Sequence, residues 1–421
     1  MKNYLAVLGL ILMLSSPALR ASVSDAEVQV LREQIRLLSE RLDQLEHSRQ
    51  TAQPDPVPAA NTAANERVLD EKIEQAVSAR MDAQMTPVAW AERLRWSGDF
   101  RYRYENIDAP IDRNRNRIRS RLLLEAAVTD DLQVGAGLAS GSSDPVSSNQ
   151  TLGDGGSSKQ INLDLAYVQW SGWSDTVLVA GKFKNQLYRA GDNGLLWDGD
   201  WRPEGASLHY DNGTFFAVGL GTWLESDSIK QEEFSYGIQA GVKWPLGSSV
   251  MLTAGAGYYQ FDTAGKRPFL LNGAFSGNSF APNSLTYLFD YQEVEAFAEL
   301  AFVAFGRPAS LFGDFVENQD ADENNQGYTL GFNYGKAKSR GTWDLSYAYR
   351  RLEADAVLGL LADSDFGAGG TNAKGSIFKA TYAFGDNWNF QASYFLNQIN
   401  LAADNRPDLD RFQVDMNFKF K

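Results

Sequence analysis

Residues 94–128 read LRWSGDFRYRYENIDAPIDRNRNRIRSRLLLEAAV, and their parity decides the fold. Leu94, Trp96, Phe100, Tyr102 and Tyr104 alternate with Arg95, Asp99, Arg101, Arg103 and Glu105. A second run sets Ile118, Leu122, Leu124 and Val128 against Arg117, Arg119, Arg121 and Glu125. The last stretch repeats the pattern, with Phe412, Val414, Met416, Phe418 and Phe420 against Arg411, Gln413, Asp415, Asn417 and Lys419. A period of two sends alternate side chains to opposite faces of a strand. One face is therefore apolar and aromatic, the other charged. A soluble sandwich would turn the charged face to water and cover the apolar one with a second sheet. A transmembrane barrel turns the apolar face to lipid and the charged face to a wet lumen.

Connection lengths separate these readings in favour of the barrel. Short connections at 129–131, 171–175, 211–213, 245–249, 306–308, 335–341 and 385–387 alternate with longer ones near 106–114, 143–159, 186–203, 224–233, 262–290, 319–326, 354–374 and 399–409. Seven short turns and eight longer loops imply sixteen antiparallel strands, with both barrel ends on the short-turn side. Most segments run about 9–13 residues, enough to cross a bilayer at the usual tilt. Trp96, Tyr104, Trp170, Trp244, Tyr258, Trp343, Tyr349 and Trp388 stand near strand ends, where interfacial girdles form, although β propensity alone also favours aromatics in strands.

Composition narrows the class. The chain of 421 residues has no cysteine, which excludes a disulfide scaffold, a thiol nucleophile and a cysteine-ligated metal. A net charge of -14 argues against nucleic acid as a partner. Mean hydropathy of -0.35 excludes a polytopic helical membrane protein.

The N-terminal quarter reads as helical and exported. Lys2 precedes an apolar run of ten from Leu5 to Leu14, too short to span a bilayer, so residues 1–21 are expected to be a signal peptide. Residues 22–50 carry Val28, Leu31, Ile35, Leu38, Leu42 and Leu45 at 3-4-3-4-3 spacing, a coiled-coil seam. Flanking pairs Glu27–Arg32 and Arg41–Glu46 favour a parallel oligomer; the alternative is one helix packed on its own chain. Residues 51–65 (TAQPDPVPAANTAAN) form a linker, and 66–93 a periplasmic helix and connector with Leu69, Ile73, Val77 and Met81 at helical spacing. The barrel occupies 94–421. The expected class is thus an all-β transmembrane barrel of about sixteen antiparallel strands with an N-terminal α-helical coiled-coil segment.

The segment Gly98-Asp99-Phe100-Arg101-Tyr102-Arg103-Tyr104 resembles the opening strand of the bacterial putative-porin family. So do NRIRSRLLLEAAVTDDLQVGAGLASGSSDPVSSNQTLG from Asn116 to Gly153, Gly181-Lys182-Phe183-Lys184-Asn185, Leu196-Trp197-Asp198 and Pro203-Glu204-Gly205. The chain departs from the usual pattern in ending on Lys421 after Phe420. The resemblance covers about 94–421 and implies an outer-membrane pore of a Gram-negative cell, with outer-membrane lipid around it, a periplasmic N-terminal segment and a homotrimeric assembly. It also implies that the third outer loop, 186–203, folds inward as a constriction.

Function is expected to lie in the lining. Parity turns Arg101, Arg103, Arg115, Arg117, Arg119 and Arg121 into the lumen, with Lys182 and Lys184 extending the strip on the fifth strand. Asp192, Asp198 and Asp200 on the third outer loop would face this basic wall, while Glu293, Glu295 and Glu299 also point inward on the tenth strand. Such a transverse field orients polar solutes and sets ion preference, unless the charges merely solvate a wide lumen or pair with neighbours. No catalytic constellation, cofactor site or metal cluster is legible. His209 has no evident serine partner, and the acidic stretch 318–324 lacks the glycine and distal glutamate of an EF-hand. The expectation is a non-enzymatic porin for passive diffusion of small hydrophilic solutes and ions. The alternatives are an anion- or phosphate-selective channel, or a barrel that only tethers the envelope.

Overall fold

The computed structural model describes residues 91–421 except 110, 228, 230, 270–272 and 402. The expected signal peptide, coiled coil and linker, and the helix that follows up to residue 90, lie outside the described residues.

Sixteen long strands make one sheet. They are β1 (Leu94–Asp108), β2 (Arg113–Ala127), β3 (Leu132–Ser140), β4 (Ile161–Trp170), β5 (Thr176–Lys182), β6 (Glu204–Asp211), β7 (Phe215–Glu225) and β8 (Glu233–Pro245), then β9 (Met251–Phe261), β10 (Tyr291–Ala304), β11 (Arg307–Asn318), β12 (Gln326–Gly335), β13 (Trp343–Leu352), β14 (Ala373–Gly385), β15 (Trp388–Ile399) and β16 (Asp408–Phe420). Each pairs antiparallel with its neighbour in sequence. β1 also pairs with β16, from Gly98↔Phe420 to Asp108↔Asp410, so the sheet closes on itself. The sixteen-stranded count therefore holds. Closure leaves neither the first nor the last strand as a free edge, the condition for a sheet that crosses a bilayer.

The side-chain alternation is inverted relative to a soluble protein. On β1, Trp96 is 53% exposed and Phe100 40%, whereas Arg103 is 4% exposed and Glu105 fully buried. On β16, Phe412, Met416, Phe418 and Phe420 are exposed, while Arg411, Gln413 and Asp415 are buried. Among the short turns, 305–306 takes positive φ at both Phe305 and Gly306, the twist a two-residue hairpin needs, and sits ahead of the expected 306–308.

The first outer connection is shorter than expected. β1 runs on to Asp108 and β2 starts at Arg113, so only 109–112 join them instead of 106–114. The polar residues that suggested a loop form a cross-strand ladder: Tyr102 Oη donates to Asn116 at 2.8 Å, Tyr104 Oη to Asn114 at 3.1 Å, and Asn106 Nδ2 to Asn114 at 2.9 Å.

The departure that matters for the site is at β5. This strand ends at Lys182, opposite Ala166, while β4 continues to Ile161 without it. Gly181 makes the break: its φ is 114°, and a Cβ there would stand 2.2 Å from the Ala166 carbonyl oxygen. The chain leaves the wall there, and Phe183 N–H donating to Pro203 O at 3.1 Å closes the neck of loop 183–203. Loops 141–160, 262–290 and 353–372 also contribute buried residues inside the barrel. Leu195, Leu196, Trp197 and Trp201 pack with Val146, Tyr259, Phe261, Tyr287, Leu358 and Leu361 in an apolar core.

The closing seam is tight at Gly98, where a Cβ would meet Arg121 O and the Phe420 ring at 2.4 Å. Gly98→Ala is expected to cost about 1–3 kcal/mol by overpacking. A lower temperature for loss of the compact, heat-modifiable gel band would register it; an unchanged temperature would mean that the seam is looser than described.

Candidate pore constriction

The inward charges of β1 and β2 are set opposite one another by register. Asp99 faces Arg121, Arg101 faces Arg119, Arg103 faces Arg117 and Glu105 faces Arg115. Most of these arginines have partners. Arg103 forms a two-pronged pair with Asp415, at 2.6 and 2.8 Å, and reaches Asp365 at 2.7 Å. Arg115 pairs with Glu105, and Arg117 lies 3.6 Å from the same carboxylate. Arg119 and Arg121 each bind Asp99 at 2.8 Å and share Asp200, at 3.6 and 2.9 Å. The expected basic strip is therefore an arginine wall largely neutralised by carboxylates.

The three aspartates of loop 183–203 do different things. Asp200 docks on Arg121 and also accepts from Ser148 Oγ at 3.2 Å. Burial would raise its carboxyl, but Arg119, Arg121 and Arg202 outweigh burial and hold it at about 2. Asp198 faces the other way, accepting from the backbone N–H groups of Asp200 at 2.7 Å and Ser364 at 2.9 Å. Its own N–H donates to Leu361 O at 2.8 Å, so it latches loop 183–203 to loop 353–372. Burial, with Asp363 and Asp200 close by, pushes the Asp198 carboxyl up to about 7. Asp192 is exposed and pairs with Arg189.

Glu293, Glu295 and Glu299 hold the loops, directly or through Gln239. Glu299 accepts from Tyr188 Oη at 2.6 Å and the Gly191 N–H at 2.9 Å. Glu295 accepts from Tyr259 Oη at 2.7 Å and Gln239 Nε2 at 2.9 Å, and Gln239 in turn bonds both backbone groups of Tyr188. Glu293 takes the Leu358 N–H at 2.7 Å. Asp314 on β11 takes Asn193 Nδ2 at 2.8 Å. Glu293 and Glu295 are 1% exposed beneath these loops, so they are anchors under the constriction and not part of its surface.

Of the two lysines, Lys184 does lie inside, where burial and then Arg202 lower its ammonium pKa. Lys182 does not extend the wall. It shares the parity of the outward-facing Leu178, binds Glu204 at 2.6 Å, and lines an 820 Å³ cleft with Trp223 above the short strand β5. The Gly181 break explains the difference, since it ends the regular alternation between the two lysines.

Loop 353–372 holds site residues that the sequence reading missed. Asp365 bridges Arg103 and Arg411, at 2.7 and 2.9 Å, and these guanidinium groups overcome its burial to hold its carboxyl well below the ordinary range. Asp363 pairs with Arg350 at 3.1 Å. One signal was available: Val357–Ala362 (VLGLLA) is an apolar run in an outer loop, out of place if the loop faced water. Arg189 and Lys379 carried no such signal.

A 230 Å³ cavity remains between the arginine wall and the two inward loops. Five cations (Arg101, Arg119, Arg189, Arg350, Lys379) and five carboxylates (Asp192, Asp198, Asp200, Asp363, Asp365) border it. A closed barrel of this size, narrowed by a loop that folds inward from its third longer connection, defines a porin-type channel. The family model described as "Putative porin" matches residues 106–268 and 264–420, and the chain belongs to that family. Among solved structures, the chain is similar to the high-pH form of Pseudomonas putida OprB, at 13% identity over 80% of this chain and 97% of that one, with a TM-score of 0.55. Salmonella typhi OmpF in complex with daunomycin is similar at 15% identity over 78% and 97% of the two chains, with a TM-score of 0.48. No curated protein sequence matches the chain.

The latch should respond to pH. A carboxyl raised from 3.8 to about 7 holds its proton more tightly when the loops are docked. Docking is then strongest near pH 4 and weakens as pH rises toward about 7. Current fluctuations from loop movement should be more frequent at about pH 8 than at about pH 5, and Asp198→Asn should remove that difference. Equal pH dependence in the variant would clear Asp198 of the role.

Proposed function

We propose that the protein is an outer-membrane porin that passes small hydrophilic solutes and ions by diffusion along the slot between the arginine wall and loops 183–203 and 353–372. The observation that carries this is the 230 Å³ polar cavity left beside an otherwise apolar plug. An apolar core offers ions no solvation, so permeation follows the charged side. Ohmic steps from the purified protein in planar bilayers support the proposal; a silent membrane supports a barrel that only tethers. Paired charges predict modest selectivity. Asp200→Asn should release Arg119 and Arg121 and shift the reversal potential toward anions, and Arg119→Gln with Arg121→Gln should shift it toward cations. If neither moves it, ions do not pass along the wall.

The assembly is part of the same reading. The short-turn end of the barrel faces the periplasm, and residues 22–50 join three chains in a parallel coil beneath three barrels. About three heptads are marginal alone, so the coil acts through the local concentration the barrels provide. Cross-linking in mild detergent is expected to give a trimer, and Ile35→Asp with Leu38→Asp to remove the coil while the barrels stay folded. Monomer alone from the wild-type chain would end this part of the proposal.

A further inference from the structure

We propose that Arg101 and Lys379 form an anion-binding subsite in the slot, one that takes the oxyanion group of a small, singly charged solute; this rests on the porin reading and names a substrate class for it. The inference starts from which charges lack partners. Of the five cations around the cavity, Arg119 is held by Asp99 and Asp200, Arg189 by Asp192, and Arg350 by Asp363. Arg101 and Lys379 have no carboxylate within ion-pair distance among the described residues. The register explains why. Arg101 stands between Arg119 on β2 and Asn417 on β16, and Lys379 between Ser346 on β13 and Ser393 on β15.

Arg101 is an expensive residue to leave in this state. Like charges directly opposite across a strand pair repel, and a part-buried guanidinium without a counter-charge bears a desolvation cost. Its Nη2 donates to Asn149 Oδ1 at 2.6 Å, a neutral partner from loop 141–160, and its Nε is buried without any partner. A bound oxyanion at the guanidinium would supply the missing counter-charge and offset the repulsion from Arg119. The guanidinium fork matches the two oxygens of a carboxylate or phosphate, and Lys379 supplies a second positive charge to the same 230 Å³ space.

The rest of the lining limits the occupant. The other bordering cations, Arg119, Arg189 and Arg350, are already paired with carboxylates, so a second negative charge on the solute finds no free cation beyond these two. A monoanion is therefore favoured over a dianion. Asn149, Asn333 and Ser364 offer neutral hydrogen-bonding groups to the solute's other polar atoms.

Single-channel chloride current through the full-length protein tests this. Acetate and, separately, monobasic phosphate are titrated into the bath, with glycerol as the neutral control. Either anion should reduce the current saturably while glycerol does not, and the anion with the lower half-inhibiting concentration distinguishes a carboxylate site from a phosphate site. Arg101→Gln alone should raise that concentration roughly tenfold, the loss of one charge-assisted bond, adding Lys379→Gln should raise it further, and Arg101→Lys should recover part of it. Independently of any variant, the wild-type chloride conductance should saturate with salt. Ohmic steps that neither saturate nor respond to acetate or phosphate would overturn the subsite and leave the channel standing. No steps at all from the folded wild-type barrel would overturn the porin reading and the subsite with it.

Discussion

Closure of β1 on β16 is the constraint on which the rest of the molecule depends. A sheet in lipid can leave no backbone group unpaired, so the first and last strands must meet. Where they meet, the outward positions are aromatic and the inward ones carry Arg103, Asp415 and Arg411. Joining the seam therefore brings buried charges from the two ends of the barrel domain together. Arg103 meets Asp415 across the seam, and both Arg103 and Arg411 converge on Asp365 from loop 353–372. Removing one partner from a buried pair of this kind costs about 3–5 kcal/mol. The same contact that completes the barrel therefore also fixes a loop within it.

Sixteen strands enclose more space than their own inward side chains fill, and two charged walls divide the remainder. The acidic wall of β10 and β11 receives the N–H and O–H groups of the inward loops through Glu293, Glu299 and Asp314, and Glu295 holds Gln239, which in turn bonds the backbone of Tyr188. The arginine wall of β1, β2 and β16 receives their carboxylates, Asp200 and Asp365. Loop 183–203 is thus bound on both sides, with its donors toward the acids and its carboxylates toward the arginines. Between the walls the loops share an apolar core built around Trp197, which stacks on Trp201 and meets Tyr259 edge-on.

Much of the fold was legible because it is local. Parity within 94–128 and 411–420 separates lipid face from lumen face, and the rhythm of short and long connections yields sixteen strands. Boundaries failed where polar residues continue a ladder, as Asn106 and Asn114 do. The site was legible only in direction. Glu293 and Glu295 point inward as their parity requires, but what covers them, Leu358 and Tyr188 with its neighbours, is far away in sequence. Asp365 lies 262 residues from Arg103, and no periodicity links the two. Lys182 failed for a local reason: on β5 it shares the outward parity of Leu178, and only beyond the end of that strand does Lys184 turn inward.

The pairing of the walls changes what an arginine strip means. A row of six arginines read from sequence suggests a strong positive field. In the fold, Asp99, Glu105, Asp200, Asp365 and Asp415 meet most of it at close range, and opposed charges a few ångströms apart leave little net field beyond a Debye length of about 8 Å. Most of the strip is therefore spent on ion pairs that join strands to one another and to the inward loops, and only charges without partners are left to act on a solute. The physical distinction between scaffold and lining is then the ion-pair partner and not the residue type. By that criterion Arg103, which touches two carboxylates, belongs to the scaffold, and Arg101, two residues away on the same face, is the one left without an ion-pair partner, as the proposed subsite requires.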